Sequence, residues 1–259
     1  MLSLRLRSGQ VPSRHPVAIS AATLHHSRKT VRDSYTSVGM TEMLFSSLRV
    51  LRDVDSRSGA MNMSIDEALL ETASEPTIRF YRWDHAALSF GYFGEFSEVA
   101  NQESEREIVR RWTGGGIVFH GNDLTYSIVI PSSDPAFAES SKSIYEKTHR
   151  AIQSALGSDA QLASIASPKI SESCFANPVQ ADVLLNGRKV AGASQRRTRR
   201  GLLQQGSIQN VHLGNGFADE FANKLCRKCR AEKLNNGVLA RAREIAKEKY
   251  STTAWLGRR

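Results

Sequence analysis

A cysteine and a lysine provide the reactive groups with which this chain could do chemistry. Cys174 stands in an irregular polar stretch beside Glu172, Ser173 and Asn177, whereas a structural cysteine usually sits in an apolar run. Lys189 follows a tight turn, so its ammonium could face back toward Cys174. An ammonium near a cysteine favours the thiolate, which is the nucleophilic form. The pair is a candidate for nucleophilic catalysis, although an isolated cysteine is more often structural.

Three consecutive glycines form the second informative stretch. Gly114, Gly115 and Gly116 lie between two strand-like runs, with Arg111 just before them and His120 just after. The stretch matches neither G-x-G-x-x-G nor a P-loop, and strand propensity continues where both motifs need a helix. One interpretation is a β-hairpin turn. The other is a close backbone approach to a bound ligand, with the arginine and histidine as a cationic rim.

Two further groups of residues carry weaker signals. Four arginines cluster at a predicted turn and could dock an acidic protein, or could be an ordinary solvated hairpin; they are Arg196, Arg197, Arg199 and Arg200. Cys226 and Cys229 have the spacing of half a zinc site, but a structural zinc needs four ligands and no second pair is evident. We therefore expect no metal.

The elements that must position these residues alternate between strands and helices. Apolar alternation and turn signals predict strands within 49–55, 77–83, 86–93, 107–112, 116–121, 124–130, 181–197 and 201–213. Asp84-His85 and Asn186-Gly187 are expected to be hairpin turns. Helical periodicity predicts helices at 60–73, 96–104, 140–156, 218–234 and 237–250. The fold class is therefore α/β or α+β, with a mixed central β-sheet flanked by helices.

Composition limits the class of protein. The 259 residues are 40% hydrophobic and 24% charged, as in an ordinary globular enzyme, and no apolar run approaches the ~20 residues of a membrane span. Three cysteines, an odd number, favour a reducing compartment such as the cytoplasm. The net charge of +9 suits acidic partners. A basic RNA-binding module is the alternative from another class, although no aromatic-interleaved recognition motif supports it.

The first 47 residues differ from the rest. They carry six Lys/Arg against two Asp/Glu, together with thirteen Ser/Thr, and show no hydrophobic period. We predict a disordered basic segment at 1–47 and one catalytic domain at 48–259. The segment could be an organelle transit peptide. The alternative is non-functional upstream sequence before a natural start at Met40 or Met43.

The motifs, taken together, resemble those of the lipoate–protein ligase/octanoyltransferase family. The resemblance spans residues 48–259 and rests on six stretches in the family's order: "NMSIDEALL", "IRFYRWDHAALSFGYF", "RRWTGGGIVFHGNDLTYSIVI", "SCFANP", "GRKVAGASQRR" and "LLQQGSI". Any one of these stretches alone is a weak signal. The resemblance implies the catalytic fold that this family shares with biotin–protein ligases.

The resemblance is strongest to the octanoyltransferases that use a cysteine. It implies that octanoyl passes from octanoyl-acyl carrier protein through a Cys174 thioester to a lysine of a lipoyl domain or glycine-cleavage H protein. Lys189 is then the family lysine. The implied substrate-binding residues are Arg111, Gly114, Gly115, Gly116, His120, Gly192 and Ala193. Such a transferase needs no cofactor, and we expect a monomer.

Within the same family, the alternative is an ATP-dependent lipoate–protein ligase. The form "TGGGIVFHG" leans toward ligases, which need no cysteine but use ATP and Mg²⁺. Lys189 would then contact an acyl-adenylate.

Overall fold

The structure is a computed structural model, and it describes residues 43–165, 175 and 177–258. Cys174 and residues 1–42 lie outside the described residues. The predicted basic segment is therefore described only at 43–47, where Leu44 and Phe45 are buried in the core.

Within the part of the chain that the structure describes, there are eleven strands and five α-helices. The strands are β1 (Leu48–Arg52), β2 (Thr77–Tyr81), β3 (Ala87–Phe90), β4 (Glu107–Arg110), β5 (Val118–His120), β6 (Leu124–Pro131), β7 (Ala160–Leu162), β8 (Val183–Leu185), β9 (Arg188–Arg197), β10 (Gly201–Ile208) and β11 (Cys229–Glu232). The helices are α1 (Gly59–Thr72), α2 (Ser141–Leu156), α3 (Phe217–Leu225), α4 (Asn236–Ile245) and α5 (Thr253–Leu256). A π-helical turn, Ala246–Tyr250, continues α4.

Eight strands build one large mixed sheet in the order β11-β1-β2-β6-β10-β9-β8-β7. β1 runs parallel to β2 and β11, and the remaining pairs are antiparallel. A small second sheet has the order β4-β3-β5. The mixed sheet flanked by helices confirms the α+β class predicted from the sequence.

Two apolar cores cover the two faces of the large sheet. On one face, residues of α2 and α3 pack against alternate sheet residues; Ile128, Ile144 and Phe221 are among them. On the other face, α1 and α4 cover Val129 and Leu203. Each fully buried aliphatic side chain contributes about 1.5–3 kcal/mol, so the sheet is a rigid platform for the side chains at its surface.

Local capping chemistry sets the helix ends. The Ser58 side chain accepts a hydrogen bond from the Met61 backbone at the start of α1. Ser140 does the same for Ser143 at the start of α2, which ends at Gly157 with φ +99°. Both follow the preference of N-caps for short polar side chains and of C-caps for glycine. Among the described residues, no helix has the length and apolarity needed to cross a membrane.

Several local predictions were wrong. Asp84-His85 does not join a hairpin, because β2 belongs to the large sheet and β3 to the small one. The helix predicted at 96–104 is two short 3₁₀ turns. The helix predicted at 218–234 ends at Leu225, and Cys229–Glu232 pairs with β1 as the edge strand β11. Asn186-Gly187 is confirmed as a hairpin turn, with φ of +50° and +75°.

Candidate active site

A pocket is lined by residues of both sheets. Its wall is largely apolar or aromatic, with a few polar groups that converge on it. The lining residues are Met63, Tyr81, Trp83, Ser89, Arg111, Val118, His120, Thr125, Phe175, Lys189, Gly192, Ala193, Ser194, Gln205, Gly206 and Ser207.

Lys189 enters the pocket as one half of a buried ion pair. Its Nζ lies 2.8 Å from Oδ2 of Asp182, and the two side chains are 3% and 0% exposed. Lys189 leaves the Asn186-Gly187 turn at the start of β9. A Cβ at Gly192 would lie 2.6 Å from Lys189 Cε and 2.8 Å from its Nζ. A side chain at position 192 would therefore overlap that of Lys189, and glycine leaves this space free for the lysine.

Asp182 is the centre of the polar network behind the lysine. Besides the ammonium, it accepts hydrogen bonds from the Tyr145 hydroxyl at 2.5 Å and from the Val179 backbone N–H at 2.6 Å. Burial, followed by the charge of Asp182, raises the pKa of Tyr145 far above its ordinary value. The backbone N–H of Ala193 donates to the Tyr145 hydroxyl at 3.3 Å, so this wall of the pocket is linked to α2. Three donors, from Lys189, Tyr145 and Val179, thus converge on the two oxygens of Asp182.

Arg111 stabilises the glycine-rich loop by hydrogen bonds to its backbone. Its Nη2 donates to the carbonyl oxygens of Gly114 and Gly116, at 3.1 and 2.7 Å. Gly115 has φ +87°, and a Cβ at Gly91 would collide with the Gly115 carbonyl oxygen. The loop is therefore a close packing of two backbone segments, which requires glycine at both contact points.

The hairpin reading of the three glycines is wrong. β4 and β5, which flank the loop, do not pair with each other; both pair with β3, which lies between them. The loop is a crossover connection that passes β3 and leads into β5. His120, at the end of β5, lies in the pocket wall.

His120 lies in a line of short hydrogen bonds. Its Nε2 is 2.7 Å from Oγ of Ser89, and its Nδ1 is 2.8 Å from Oδ2 of Asp123. The imidazole stacks on Trp83 with ring centroids 3.9 Å apart. Burial is the main cause that lowers the pKa of His120, although Asp123 opposes it. The pKa of Asp123 is held at about 2 despite its burial, chiefly because His120 donates to it.

The structure brings together most of the residues that the sequence singled out. Arg111, His120, Lys189, Gly192 and Ala193 line the one pocket. Gly114, Gly115 and Gly116 lie beside it, joined to it through the Arg111 guanidinium. Cys174 is outside the described residues. Its neighbour in sequence, Phe175, lines the pocket with its ring centroid 5.4 Å from Lys189 Nζ.

Sequence reasoning missed the acidic and hydroxyl groups of the site. Asp182 and Asp123 were not predicted, although each is buried against a predicted residue. Ser89 and Tyr145 were also missed. The one available signal was the spacing of His120 and Asp123 in "HGND", since a carboxylate three residues from a histidine after a strand can reach its ring.

Three arginines of the cluster have different contacts within the protein. Arg197 donates to the carbonyl oxygens of Phe137 and Glu139, and Arg200 lies 3.6 Å from Glu71. Arg196 instead stacks on the rings of Tyr92 and Trp112.

A buried arginine joins the glycine-rich loop region to the last described residues. The guanidinium of Arg110 donates to the carbonyl oxygens of Tyr92, Gly94, Leu256 and Arg258, at 2.7–3.2 Å. The indole N–H of Trp255 donates a hydrogen bond to the carbonyl oxygen of Arg110 at 3.0 Å. The segment around α5 is thus fastened to the strand that precedes the loop.

Curated relatives carry the name octanoyltransferase LipM. The protein from Brevibacillus brevis is 36% identical over 173 residues, which cover 60% of this chain and 63% of the relative. The protein from Halalkalibacterium halodurans is 30% identical over 78% of this chain and 96% of its own. The chain spans less than two thirds of the length of the Brevibacillus relative, and of that from Lysinibacillus sphaericus, 62% of which it covers.

Solved structures show the same fold. A putative lipoate protein ligase from T. acidophilum with bound lipoic acid superposes with a TM-score of 0.63, at 22% identity over 81% of this chain and 98% of the other. A lipoate-protein ligase A bound with ATP gives a TM-score of 0.62, at 23% identity over 82% and 98% of the two chains. The family model of the lipoyl protein ligase A/B catalytic domain matches residues 58–248. The chain therefore belongs to the lipoyl protein ligase A/B catalytic domain family, as its motifs predicted.

Proposed function

We propose that this protein is an octanoyltransferase of lipoate assembly, which moves an octanoyl group from an acyl carrier to a lysine of a lipoyl domain through a Cys174 thioester. One observation carries the proposal beyond the names of the relatives. A buried ammonium, that of Lys189, faces an apolar pocket whose wall also contains Phe175, the residue that follows Cys174. An ammonium in such a pocket is suited to stabilise a thiolate and the oxyanion of a thioester attack.

The chemistry takes two exchanges. In the first, the Cys174 thiolate attacks the carbonyl carbon of the octanoyl thioester, a new C–S bond forms, the old C–S bond breaks, and the carrier leaves as its thiolate. In the second, the neutral amine of the acceptor lysine attacks the acyl-enzyme, a C–N bond forms, and the C–S bond to Cys174 breaks. The proton that the amine loses passes to the departing Cys174 sulfur or to water. Both steps pass through an oxyanion, which Lys189 would stabilise by its charge.

The pocket suits the apolar tail of the acyl group. Met63, Tyr81, Trp83 and Val118 supply wall area of the kind that buries a saturated chain, at ~0.8 kcal/mol per CH₂. The transferase chemistry requires no cofactor, and its partners are an octanoyl-acyl carrier and a lipoyl domain or glycine-cleavage H protein.

An ATP-dependent lipoate–protein ligase is the second candidate. The glycine-rich loop and the solved lipoate ligases of the same fold favour it. In that reaction ATP and Mg²⁺ activate free acid, and Cys174 has no role.

Intact-mass spectrometry separates the two candidates. After incubation with octanoyl-acyl carrier protein, we expect one octanoyl mass on the wild-type protein, which hydroxylamine removes. Cys174→Ser should lose that thioester, whereas Cys229→Ser, a half-buried cysteine far along the chain, should keep it. If the wild-type protein stays unmodified and octanoylates a lipoyl domain only with ATP and free octanoate, the ligase candidate replaces the transferase.

Lys189→Arg tests the lysine in the same assay. A guanidinium does not reproduce a compact ammonium, so we expect single-turnover acylation to fall by ~10²-fold or more while the protein stays folded. Near-normal rates in both exchanges would show that Lys189 has no part in the chemistry.

A further inference from the structure

Arg196 is a half-buried arginine whose guanidinium is held by aromatic rings. Its Cζ lies 4.6 Å from the ring centroid of Tyr92 and 4.9 Å from that of Trp112. Among the described residues, no carboxylate pairs with Arg196 and no oxygen accepts a hydrogen bond from it. The rings fix the planar group while its N–H donors remain available, and this arrangement suits the recognition of an anion.

A second arginine contacts the same tyrosine. The Cζ of Arg258 lies 4.3 Å from the Tyr92 centroid, and its guanidinium donates a hydrogen bond to the Tyr92 hydroxyl. Because both guanidinium groups contact one ring, their central carbons are at most about 9 Å apart. At this spacing a single anion placed between them can accept hydrogen bonds from both Arg196 and Arg258.

Lys249 adds a third positive charge to this cluster. Its ammonium lies 4.3 Å from the centroid of the Trp112 ring, on which Arg196 also stacks. Glu67 pairs with Lys249 at 2.6 Å. Burial is the main cause that lowers the pKa of Lys249, Glu67 opposes it, and repulsion by Arg196 adds to it. Three cations and the carboxylate of Glu67 leave an excess of positive charge, which a bound anion would reduce.

The cluster continues the wall of the pocket along β9. Side chains on a strand alternate, so Gly192, Ser194 and Arg196 lie on the same face of the sheet. Gly192 and Ser194 line the pocket. Their partners across the ladder, Ser207 and Gln205, line it as well. Arg196 is therefore the next position on this face beyond the pocket.

The distance from the pocket to Arg196 matches the length of the arm of an acyl carrier. A Cβ at Gly192 would lie 2.8 Å from Lys189 Nζ, so Gly192 marks the position of the ammonium along β9. Four residues at ~3.3 Å each place Arg196 roughly 13 Å further along the strand. Acyl carriers hold the acyl group as a thioester on a pantetheine arm, whose other end is a phosphate ester. With about thirteen bonds from sulfur to phosphorus, the arm spans roughly 15 Å at the reach of an extended backbone.

We propose that Arg196 and Arg258 form a binding site for the phosphate group of this arm. The inference rests on the proposed function, because it places the thioester carbonyl at Lys189 and the arm along β9. An arginine binds phosphate oxygens through two parallel, charge-assisted hydrogen bonds. The rings already restrict the guanidinium, so less conformational entropy is lost on binding. The recognised group is a phosphate ester of pantetheine, which both a carrier protein and coenzyme A contain.

Substrates with and without the phosphate test the site. The measured quantity is kcat/KM for acyl-enzyme formation from octanoyl-pantetheine and octanoyl-phosphopantetheine, which differ by that group alone. Arg196→Gln should lower the value for octanoyl-phosphopantetheine by ~10-fold or more, as expected for one charge-assisted hydrogen bond, and leave that for octanoyl-pantetheine within ~2-fold. Arg196→Lys keeps the charge without the fork and should lose less. Arg243→Gln removes an exposed arginine of α4 as the control for net charge, and should change neither value.

A binding measurement separates the site from the reaction. Phosphopantetheine without an acyl group cannot acylate the protein, so titration calorimetry reports its binding alone. The wild-type protein should bind it ~10-fold more tightly than Arg196→Gln does, and the difference should become smaller at high salt. If Arg196→Gln does not fold, Arg258→Gln decides, because the Arg258 side chain is exposed and its carbonyl oxygen, which Arg110 binds, is unchanged.

The outcomes are distinguishable. A loss confined to phosphate-bearing substrates supports the proposal, and equal losses with octanoyl-coenzyme A and octanoyl-acyl carrier protein assign it to the arm that they share. Equal losses with and without the phosphate would overturn it. A loss with the carrier protein alone would also overturn it, since Arg196 would then contact the carrier protein and not its arm. Unchanged acylation with slower transfer to a lipoyl domain would overturn it in favour of docking of the acceptor. A wild-type protein that binds phosphopantetheine through Arg196 but forms no acyl-enzyme supports the site and refutes the proposed function.

Discussion

Neutralising Asp182 should destabilise the protein far more than a change of one atom suggests. Asp182→Asn preserves the shape of the side chain but removes the carboxylate with which Lys189 pairs. The substitution also turns one acceptor oxygen into a donor group. Three donors converge on Asp182, from Lys189, Tyr145 and Val179, so the new amide must face at least one of them.

The magnitude follows from the burial of the pair. Both side chains are nearly inaccessible to water, and removing one partner of a buried ion pair costs ~3–5 kcal/mol. For a domain of this size, each kcal/mol lowers the melting temperature by ~2–4 °C, so we expect a decrease of roughly 6–20 °C. Glu146→Gln is the matched control, because its pair with Arg150 is half exposed and worth at most about 0.5 kcal/mol.

Urea unfolding of a double-mutant cycle provides the decisive measurement. Lys189→Met fills a similar volume without charge, so Asp182→Asn combined with Lys189→Met should be more stable than the sum of the single losses predicts, by ~2 kcal/mol or more. Strict additivity would refute the reasoning, because it would mean that the two groups do not share an interaction. A loss below ~1 kcal/mol for Asp182→Asn alone would refute it as well.

Two further predictions concern protonation and docking. His149 is fully buried, its Nε2 has no hydrogen-bond partner among the described residues, and burial lowers its pKa from 6.5 to about 4. As pH falls, the unfolded chain takes up the proton before the folded protein does, so we expect the free energy of unfolding to decrease by ~2–3 kcal/mol between pH 6.5 and 4. In His149→Phe, urea unfolding at each pH should show a smaller decrease over this range. An equal decrease in the variant would contradict the assignment to His149. Arg196→Glu should slow association with an acidic partner domain, and the decrease in rate should become smaller at high salt. Arg197→Glu should mainly reduce stability, because Arg197 donates hydrogen bonds to two backbone carbonyls. Stopped-flow binding at two salt concentrations separates these outcomes, and equal association defects in the two variants would contradict the prediction.

The sequence predicts those features that short-range chemistry decides. The Asn186-Gly187 turn follows from two residues that tolerate positive φ, and the ends of α2 follow from Ser140 and Gly157. The pairing partner of a strand, by contrast, is not decided by short-range chemistry. Asp84-His85 offers a plausible turn, but β2 pairs with β1 and β6 in the large sheet, whereas β3 pairs with β4 and β5 in the small one.

The burial of charged side chains is the other feature that could not be predicted from the sequence. An aspartate on a predicted helix, such as Asp66, is expected to be solvated. In the structure it is fully buried in the middle of α1, where Arg79, Tyr81, Ser127 and Gln205 donate to it. These donors come from three different strands, so no local pattern marks the site.

The cage around Arg110 has a consequence for the time course of synthesis. Its carbonyl partners in Leu256 and Arg258 are separated from it by 146 and 148 positions. At ~5–20 residues per second, roughly 7–30 s pass between the translation of Arg110 and that of these partners. The edge strand β11 is made earlier, so a nascent chain halted before Leu256 already contains all eight strands of the large sheet. The strand that leads into the glycine-rich loop, however, still lacks two of the carbonyl partners of Arg110, so this end of the small sheet is completed later than the large sheet.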